Sequence, residues 1–226
     1  MHMIKRLKRI IKREQIKYPK KNKLSLLINR FAEIQKERYK NLKMQVMKDS
    51  TFTSDSEIFM CSLFPKKVLD IVIQDLNPSS VLDVGCGVGK SLEYFFDHKI
   101  ESIGIEQSSI AISKSSIKEQ IRRHNLKHQI NLGRTFDLVW CFEVIEHIHP
   151  KYEEVFLRNL TVHGNKILIS AAKPGQGGHG HFNEQEPEYW IVRFKNLGYK
   201  YNEKFSDKVK NSKENHSENL MFFEKV

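Results

Sequence analysis

The chain has 226 residues, a formal net charge of +11 and 39% hydrophobic residues, enough for one sizeable core. No apolar run approaches the roughly 18 to 20 residues needed to cross a bilayer, and the basic start MHMIKRLKRIIKRE lacks the unbroken apolar stretch of a secretion signal. Cys61, Cys86 and Cys141 have neither metal-finger nor redox-pair spacing, so a reduced, cytoplasmic protein is expected.

The basic excess is confined to one end. Residues 1–50 hold 16 Lys or Arg against 4 Asp or Glu, and the remainder holds 22 against 23. This division predicts a basic helical extension, 1–50, attached to a near-neutral globular domain, 51–226. Ile4, Leu7, Ile10 and Ile11 form a narrow apolar stripe among lysines and arginines, and Pro19 interrupts it. A second helical pattern follows with Leu24, Leu27, Ile28, Phe31, Ile34 and Leu42. Such an arm suits an anionic partner, RNA or a membrane surface, or packs as a solvated helix on the domain.

After the polar break TFTSDSE, Lys66 to Leu76 reads as an amphipathic helix and Asn77-Pro78-Ser79-Ser80 as a turn. Strand and helix patterns then alternate, which predicts a parallel sheet covered by helices. Val81 to Val84 and Ser102 to Ile105 read as strands, Lys90 to Asp97 as a helix, and Ser108 to Asn125 as a long helix. A weak strand near Gln129 to Leu132 precedes strands at Phe136 to Cys141 and Lys166 to Ser170. Glu186 to Leu197 reads as a helix. Tyr199 to Phe205 and Leu220 to Glu224 read as closing strands, joined by the charged loop SDKVKNSKENHSEN.

The stretch VLDVGCGVGKS, Val81 to Ser91, ends like a phosphate-binding loop. That loop needs Gly-x-x-x-x-Gly-Lys-Ser, which puts its first glycine at residue 84, and residue 84 is Val. The dinucleotide pattern Gly-x-Gly-x-x-Gly fails at Lys90. What remains is a strand ending in Asp83, a Gly-x-Gly-x-Gly loop and a helix. Its backbone can approach a flat zwitterionic ligand, and its carboxylate suits the ligand's ammonium. Glu106 closes the next strand, where a carboxylate can accept two ribose hydroxyls.

With SIGIEQS, FDLVWC and EVIEHI following in order, the segment from about Ser80 onward resembles class I S-adenosylmethionine-dependent methyltransferases. The resemblance implies a Rossmann-like α/β fold: a seven-stranded, mostly parallel sheet with an antiparallel C-terminal hairpin. It implies S-adenosylmethionine as cofactor and S-adenosylhomocysteine as product. Asp83, Gly85, Cys86, Gly87 and Gly89 would line the methionine end, Glu106 the ribose and Gln107 the adenine, with Leu132 and Phe142 also at the cofactor. Family members usually carry an Asp after the third strand for the adenine amine; here that role would fall to Asn131.

Methyl transfer to a hydroxyl needs a base or a metal, because a neutral alcohol is a poor nucleophile. Two segments supply such groups. In CFEVIEH, Glu143, Glu146 and His147 are spaced to share one helical face. In SAAKPGQGGHGHFNEQEPEYW, a glycine-rich loop carries His179, His181, Asn183, Glu184 and Gln185. Glu143, Glu146, His147 and His181 form an oxygen and nitrogen set suited to Mg²⁺ or Mn²⁺, similar to the metal site of small-RNA 3′-terminal 2′-O-methyltransferases. The Glu-Val-x-Glu-His segment also occurs in metal-free methyltransferases. The expectation is therefore a metal-free site with His181 as general base, and His147 and Glu143 beside it.

The Pro-Gly-Gln-Gly-Gly…His…Asn-Glu-Gln segment further resembles bacterial methyltransferases of small molecules or sugars. This implies an acceptor hydroxyl, less readily an amine. The alternative is a metal-dependent RNA 2′-O-methyltransferase.

Overall fold

The computed structural model describes residues 63–178 and 180–226. The basic extension, Cys61 and His179 lie outside the described residues. Lys66–Leu76 forms α1, which turns its buried residues Val68, Leu69 and Val72 inward at spacings of one and three. Strand and helix then alternate through β1 (Ser80–Val84), α2 (Lys90–Asp97), β2 (Glu101–Glu106), α3 (Ser109–Lys114) and β3 (Ile121–Arg123). The chain continues through β4 (Leu138–Cys141), α4 (Glu153–Thr161), β5 (Lys166–Ser170), α5 (Pro187–Asn196), β6 (Tyr199–Tyr201), α6 (Glu203–Lys210) and β7 (Leu220–Lys225).

The seven strands lie in the order β3-β2-β1-β4-β5-β7-β6. β1 to β5 run parallel, whereas β7 is antiparallel to both β5 and β6. Every residue of β1 and β4 is buried, as expected of central parallel strands covered on both faces. Leu82, Val84, Val139, Cys141, Ile167 and Ile169 pack on one side against Phe156, Leu157 and Leu160 of α4 and Trp190 and Phe194 of α5. Their alternates Val81, Leu138, Trp140 and Leu168 pack on the other side with α1, Phe95 of α2, and Phe205 and Val209 of α6. The order of strands reverses at β1 and β4, so the loops that follow these two strands flank a crevice at the C-terminal edge of the sheet. Among the described residues no helix is long and apolar enough to cross a membrane.

Three expectations are corrected. The long helix over Ser108 to Asn125 stops at Lys114, and the third strand is Ile121–Arg123 rather than Gln129 to Leu132. Ser115 takes extended dihedrals, and its hydroxyl accepts the Ile117 N–H at 3.2 Å, so a local bond replaces the next helical turn. The strand expected over Tyr199 to Phe205 ends at Tyr201. Asn202 caps α6 by accepting the Phe205 N–H at 3.0 Å, so a helix stands inside the connection between the two closing strands.

Candidate functional site

The glycine loop turns because three of its residues hold positive φ: Gly85 at 77°, Gly87 at 57° and Gly89 at 81°. A Cβ on Gly85 would lie 2.5 Å from a methyl of Val144, so this glycine also lets the β1 loop touch the β4 loop. At Gly87 nothing stands within 4 Å of an added Cβ, which leaves the backbone open to a ligand.

Glu106 closes the other side of the loop. Its Oε2 accepts the Gly87 N–H at 2.9 Å, and its Oε1 accepts those of Gln107 and Ser108, each at 2.7 Å. Burial nonetheless raises its carboxyl above the ordinary range, with the three N–H bonds opposing. Asp83 is 3% exposed. Burial, and then the charge of Glu106, push its carboxyl up to about 8. Neither acid has a basic side chain beside it among the described residues. Two buried carboxylates of this kind favour a ligand that brings positive charge.

Asn131 does not stand at a strand end. It lies on the loop before β4 and uses its side-chain oxygen to accept the Gly133 N–H at 2.8 Å. The residues that follow β3 are His124 and Asn125, so the carboxamide at that strand end is Asn125. Leu132 packs against the core and donates its N–H to His163 Nε2 at 3.0 Å. Phe142, just past β4, stacks on Trp140 with ring centroids 5.7 Å apart.

The segment after β4 is not one helical face. Glu143 has φ +55°, which breaks any helix at that point, and only Ile145–His147 forms a short turn. Glu143 instead places Oε2 3.1 Å from His216 Nδ1, while its own N–H donates to Ser170 Oγ at 2.5 Å. Glu146 is wholly buried; no side-chain amide, hydroxyl or basic group donates to its oxygens, and its carboxyl lies against that of Glu143. Burial and the neighbouring Glu143 push its carboxyl well above the usual range.

The glycine-rich loop is tied to this turn through its backbone. Phe182 and Asn183 donate their N–H groups to the Glu146 carbonyl at 2.8 and 3.1 Å. His147 Nδ1 lies 3.2 Å from the Gly180 carbonyl, which can only accept, so Nδ1 carries the proton. His181 Nδ1 lies 3.0 Å from Glu184 Oε1. Glu184 in turn accepts the Gly175 and Gly177 N–H groups at 2.9 and 2.7 Å, and these bonds hold its carboxyl below the ordinary range. Both imidazoles thus use Nδ1 as donor and keep a basic Nε2. Their rings meet edge to face at 4.9 Å, and ligand atoms of Glu146, His147 and His181 all lie within 4.8 Å of one another. Glu143 is not in this group, so three of the four candidate ligands converge, while the fourth reaches His216 and touches the carboxyl of Glu146.

Asn183 is withdrawn from the mouth of the site. It is buried and donates to Glu153 Oε2 at 3.0 Å, while Tyr189 and Arg193 hold the same carboxylate. His216, Asn219 and Gln176 were not singled out by sequence reasoning. The chain around them reads only as a charged loop and a glycine-rich loop, and nothing local ties His216 to a glutamate 73 positions earlier.

No curated protein sequence matches this chain. Several solved structures share its fold at low identity. The magnesium protoporphyrin IX methyltransferase ChlM of Synechocystis is 14% identical, with a TM-score of 0.54 over 72% of this chain and 82% of its own. The sugar N-methyltransferase KedS8 of Streptoalloteichus is 14% identical, with a TM-score of 0.55 over 71% and 86%. The methyltransferase domain of bacterial CtHen1 is 17% identical, with a TM-score of 0.52 over 70% and 94%. Residues 21–162, more than half of the chain, match the family model described as a methyltransferase domain, and the chain belongs to that family.

Proposed function

We propose that the chain moves the methyl group of S-adenosylmethionine to a hydroxyl of a small molecule or sugar. The observation that carries this reading is the His181–Glu184 pair, a basic imidazole nitrogen oriented by a carboxylate and placed beside the loop that follows β4. Solved relatives of the same fold hold S-adenosylmethionine or its product, and one is a sugar N-methyltransferase. The cofactor fits the chain's own residues: Gly85, Gly87 and Gly89 leave a backbone cradle, Asp83 faces positive charge, and Glu106 accepts from the ribose. When bound, the cofactor supplies an electrophilic methyl group on a sulfonium. The protein's part is to align the acceptor oxygen with that methyl and to take its proton at His181 Nε2, with Glu184 stabilising the resulting imidazolium.

The bond formed tests the reading. Purified protein, methyl-labelled cofactor and a small-molecule extract should yield methyl ethers by NMR. N-methyl products alone would overturn the hydroxyl acceptor.

Asp83 gives a pH signature. The ligand's ammonium needs Asp83 as carboxylate, but the free protein keeps it protonated below about pH 8. Affinity for S-adenosylmethionine should therefore rise with pH, by up to about tenfold per unit, and level off above that point. Asp83→Asn should weaken binding and flatten the profile. A wild-type profile already flat from pH 6 to 9 would contradict this role.

A second reading, a metal-dependent RNA 2′-O-methyltransferase, is favoured by the convergence of Glu146, His147 and His181 and by the buried carboxyl of Glu146, to which no amide, hydroxyl or basic side chain donates. Each imidazole already spends Nδ1 on an acceptor, the usual outer-shell arrangement of metal-ligating histidines. These three residues would hold Mg²⁺ or Mn²⁺, which when bound polarises an acceptor hydroxyl. Titrating the protein with Mn²⁺ and following its electron paramagnetic resonance signal separates the readings. Loss of free-ion signal in wild type but not in Glu146→Gln supports the metal; no uptake by wild type leaves His181 as base.

A further inference from the structure

Gln176 sits on the glycine-rich loop between Gly175, at φ 84°, and Gly177, at φ 70°; nothing stands within 4 Å of an added Cβ at either glycine. It is an exposed residue, yet its carboxamide joins three others. Its Oε1 accepts the Lys173 N–H and an Asn219 Nδ2 hydrogen, each at 3.1 Å. With Oε1 so fixed, Nε2 must be the group 3.3 Å from His216 Nδ1. That same nitrogen is 3.1 Å from Glu143 Oε2.

The proton count at His216 does not close. Nε2 of Gln176 only donates, so it requires a bare Nδ1, which then turns a lone pair rather than a proton toward the Glu143 carboxylate 3.1 Å away. One nitrogen cannot satisfy both neighbours at once. One acceptor of the same cluster, Asn219 Oδ1, is buried without any hydrogen-bond partner, and Asn219 is only 2% exposed. Glu143 and His216 both hold left-handed backbone, φ 55° and 63°, which side chains other than glycine rarely adopt. The cluster therefore carries backbone strain and an unused acceptor, beside the turn that follows β4.

We propose that Gln176 is a placeholder, and that Asn219, His216 and Glu143 form the subsite that receives a second, non-reacting hydroxyl of the acceptor when the carboxamide swings out. A hydroxyl accepts one hydrogen bond and donates one. It can take the Asn219 Nδ2 hydrogen now given to Gln176 and pass its own hydrogen to Glu143 or to His216. That removes the conflict at Nδ1, which a second carboxamide would repeat. The Glu143 carboxylate opposes an anionic group at this position, so the subsite selects a neutral polyhydroxy compound over its acidic analogue. This deepens the hydroxyl-methylation reading and rests on it.

The sign of the mutational effects tests the idea. Protein saturated with S-adenosylhomocysteine is titrated with methyl glycosides of neutral hexoses, with the matching uronic acids and with an RNA oligonucleotide. Gln176→Ala should tighten neutral glycoside binding several-fold. His216→Ala and Asn219→Ala should each weaken it by about tenfold, the loss of roughly one good hydrogen bond. Affinity for S-adenosylhomocysteine should not change in any variant. His216→Gln replaces His216→Ala if the alanine variant does not fold. A merely structural loop contact would make all three changes weaken binding together, and that result overturns the placeholder. Uronic acids binding as well as neutral glycosides, RNA binding alone, or no glycoside binding also overturn it. Failure of the wild type to bind S-adenosylhomocysteine would instead overturn the cofactor assignment.

Discussion

Replacing His181 with alanine is expected to lower methyl transfer by roughly 10²- to 10⁴-fold while leaving cofactor affinity unchanged. Among the described residues no hydrogen bond or ring contact joins the imidazole to the glycine loop. Its bond is to Glu184, and its ring lies against His147 and beneath Gly178, where an added Cβ would come within 2.4 Å of Nε2. The loop that carries it keeps its other ties, from Phe182 and Asn183 to the Glu146 carbonyl. Single-turnover rates with labelled cofactor, beside calorimetric titration with S-adenosylhomocysteine, check both halves. Full activity removes His181 from the chemistry. A fall in cofactor affinity equal to the fall in rate makes it part of the cofactor site.

Glu106→Ala is expected to weaken S-adenosylmethionine binding by roughly a hundredfold, because hydrogen bonds to a charged carboxylate contribute about 1.5–3 kcal/mol. The same change strips the Gly87, Gln107 and Ser108 N–H groups of their acceptor, so the thermal midpoint should fall as well. Excess ligand should recover little of that midpoint in the variant, whereas it should raise the wild-type midpoint by several degrees. Unchanged affinity in Glu106→Ala would contradict the whole arrangement around the glycine loop.

What the sequence reveals of this site is what is local in it. Val81 to Ser91 is read directly, because a short apolar strand, an Asp and alternating glycines are all needed within a few residues. Lys66 to Leu76 and Lys166 to Ser170 match the observed α1 and β5 from end to end. The third strand was hidden because it is a three-residue edge strand, Ile121–Arg123, with two exposed arginines. Such a strand has no apolar alternation to read, and its charges suit an edge that must not pair further. The helix α6 was hidden for a similar reason. Only Phe205, Ser206 and Val209 are buried, among residues that otherwise read as the end of a strand and the start of a charged loop.

The acceptor side of the site was partly legible. Glu146, His147 and His181 were marked by residue type, and the structure brings them together. Glu143 was marked for the same group, but at its positive φ it reaches only the Glu146 carboxyl and His216, and not the two imidazoles. No residue type announces that conformation. Its partner His216 comes from the last connection of the fold, held near by the antiparallel pairing of β7 with β5, where Ser170 faces Leu220. A pairing so distant along the chain leaves no periodic trace.

Methyl transfer from labelled S-adenosylmethionine into a cell extract, separated afterwards into small-molecule, glycan, protein and RNA fractions, tests the central claim most directly. One arm of the experiment contains a chelator and the other does not. The account predicts label in the small-molecule or glycan fraction, carried as a methyl ether and present in both arms. Label found in RNA and lost with the chelator would contradict it, and would make Glu146, His147 and His181 the ligands of a catalytic metal.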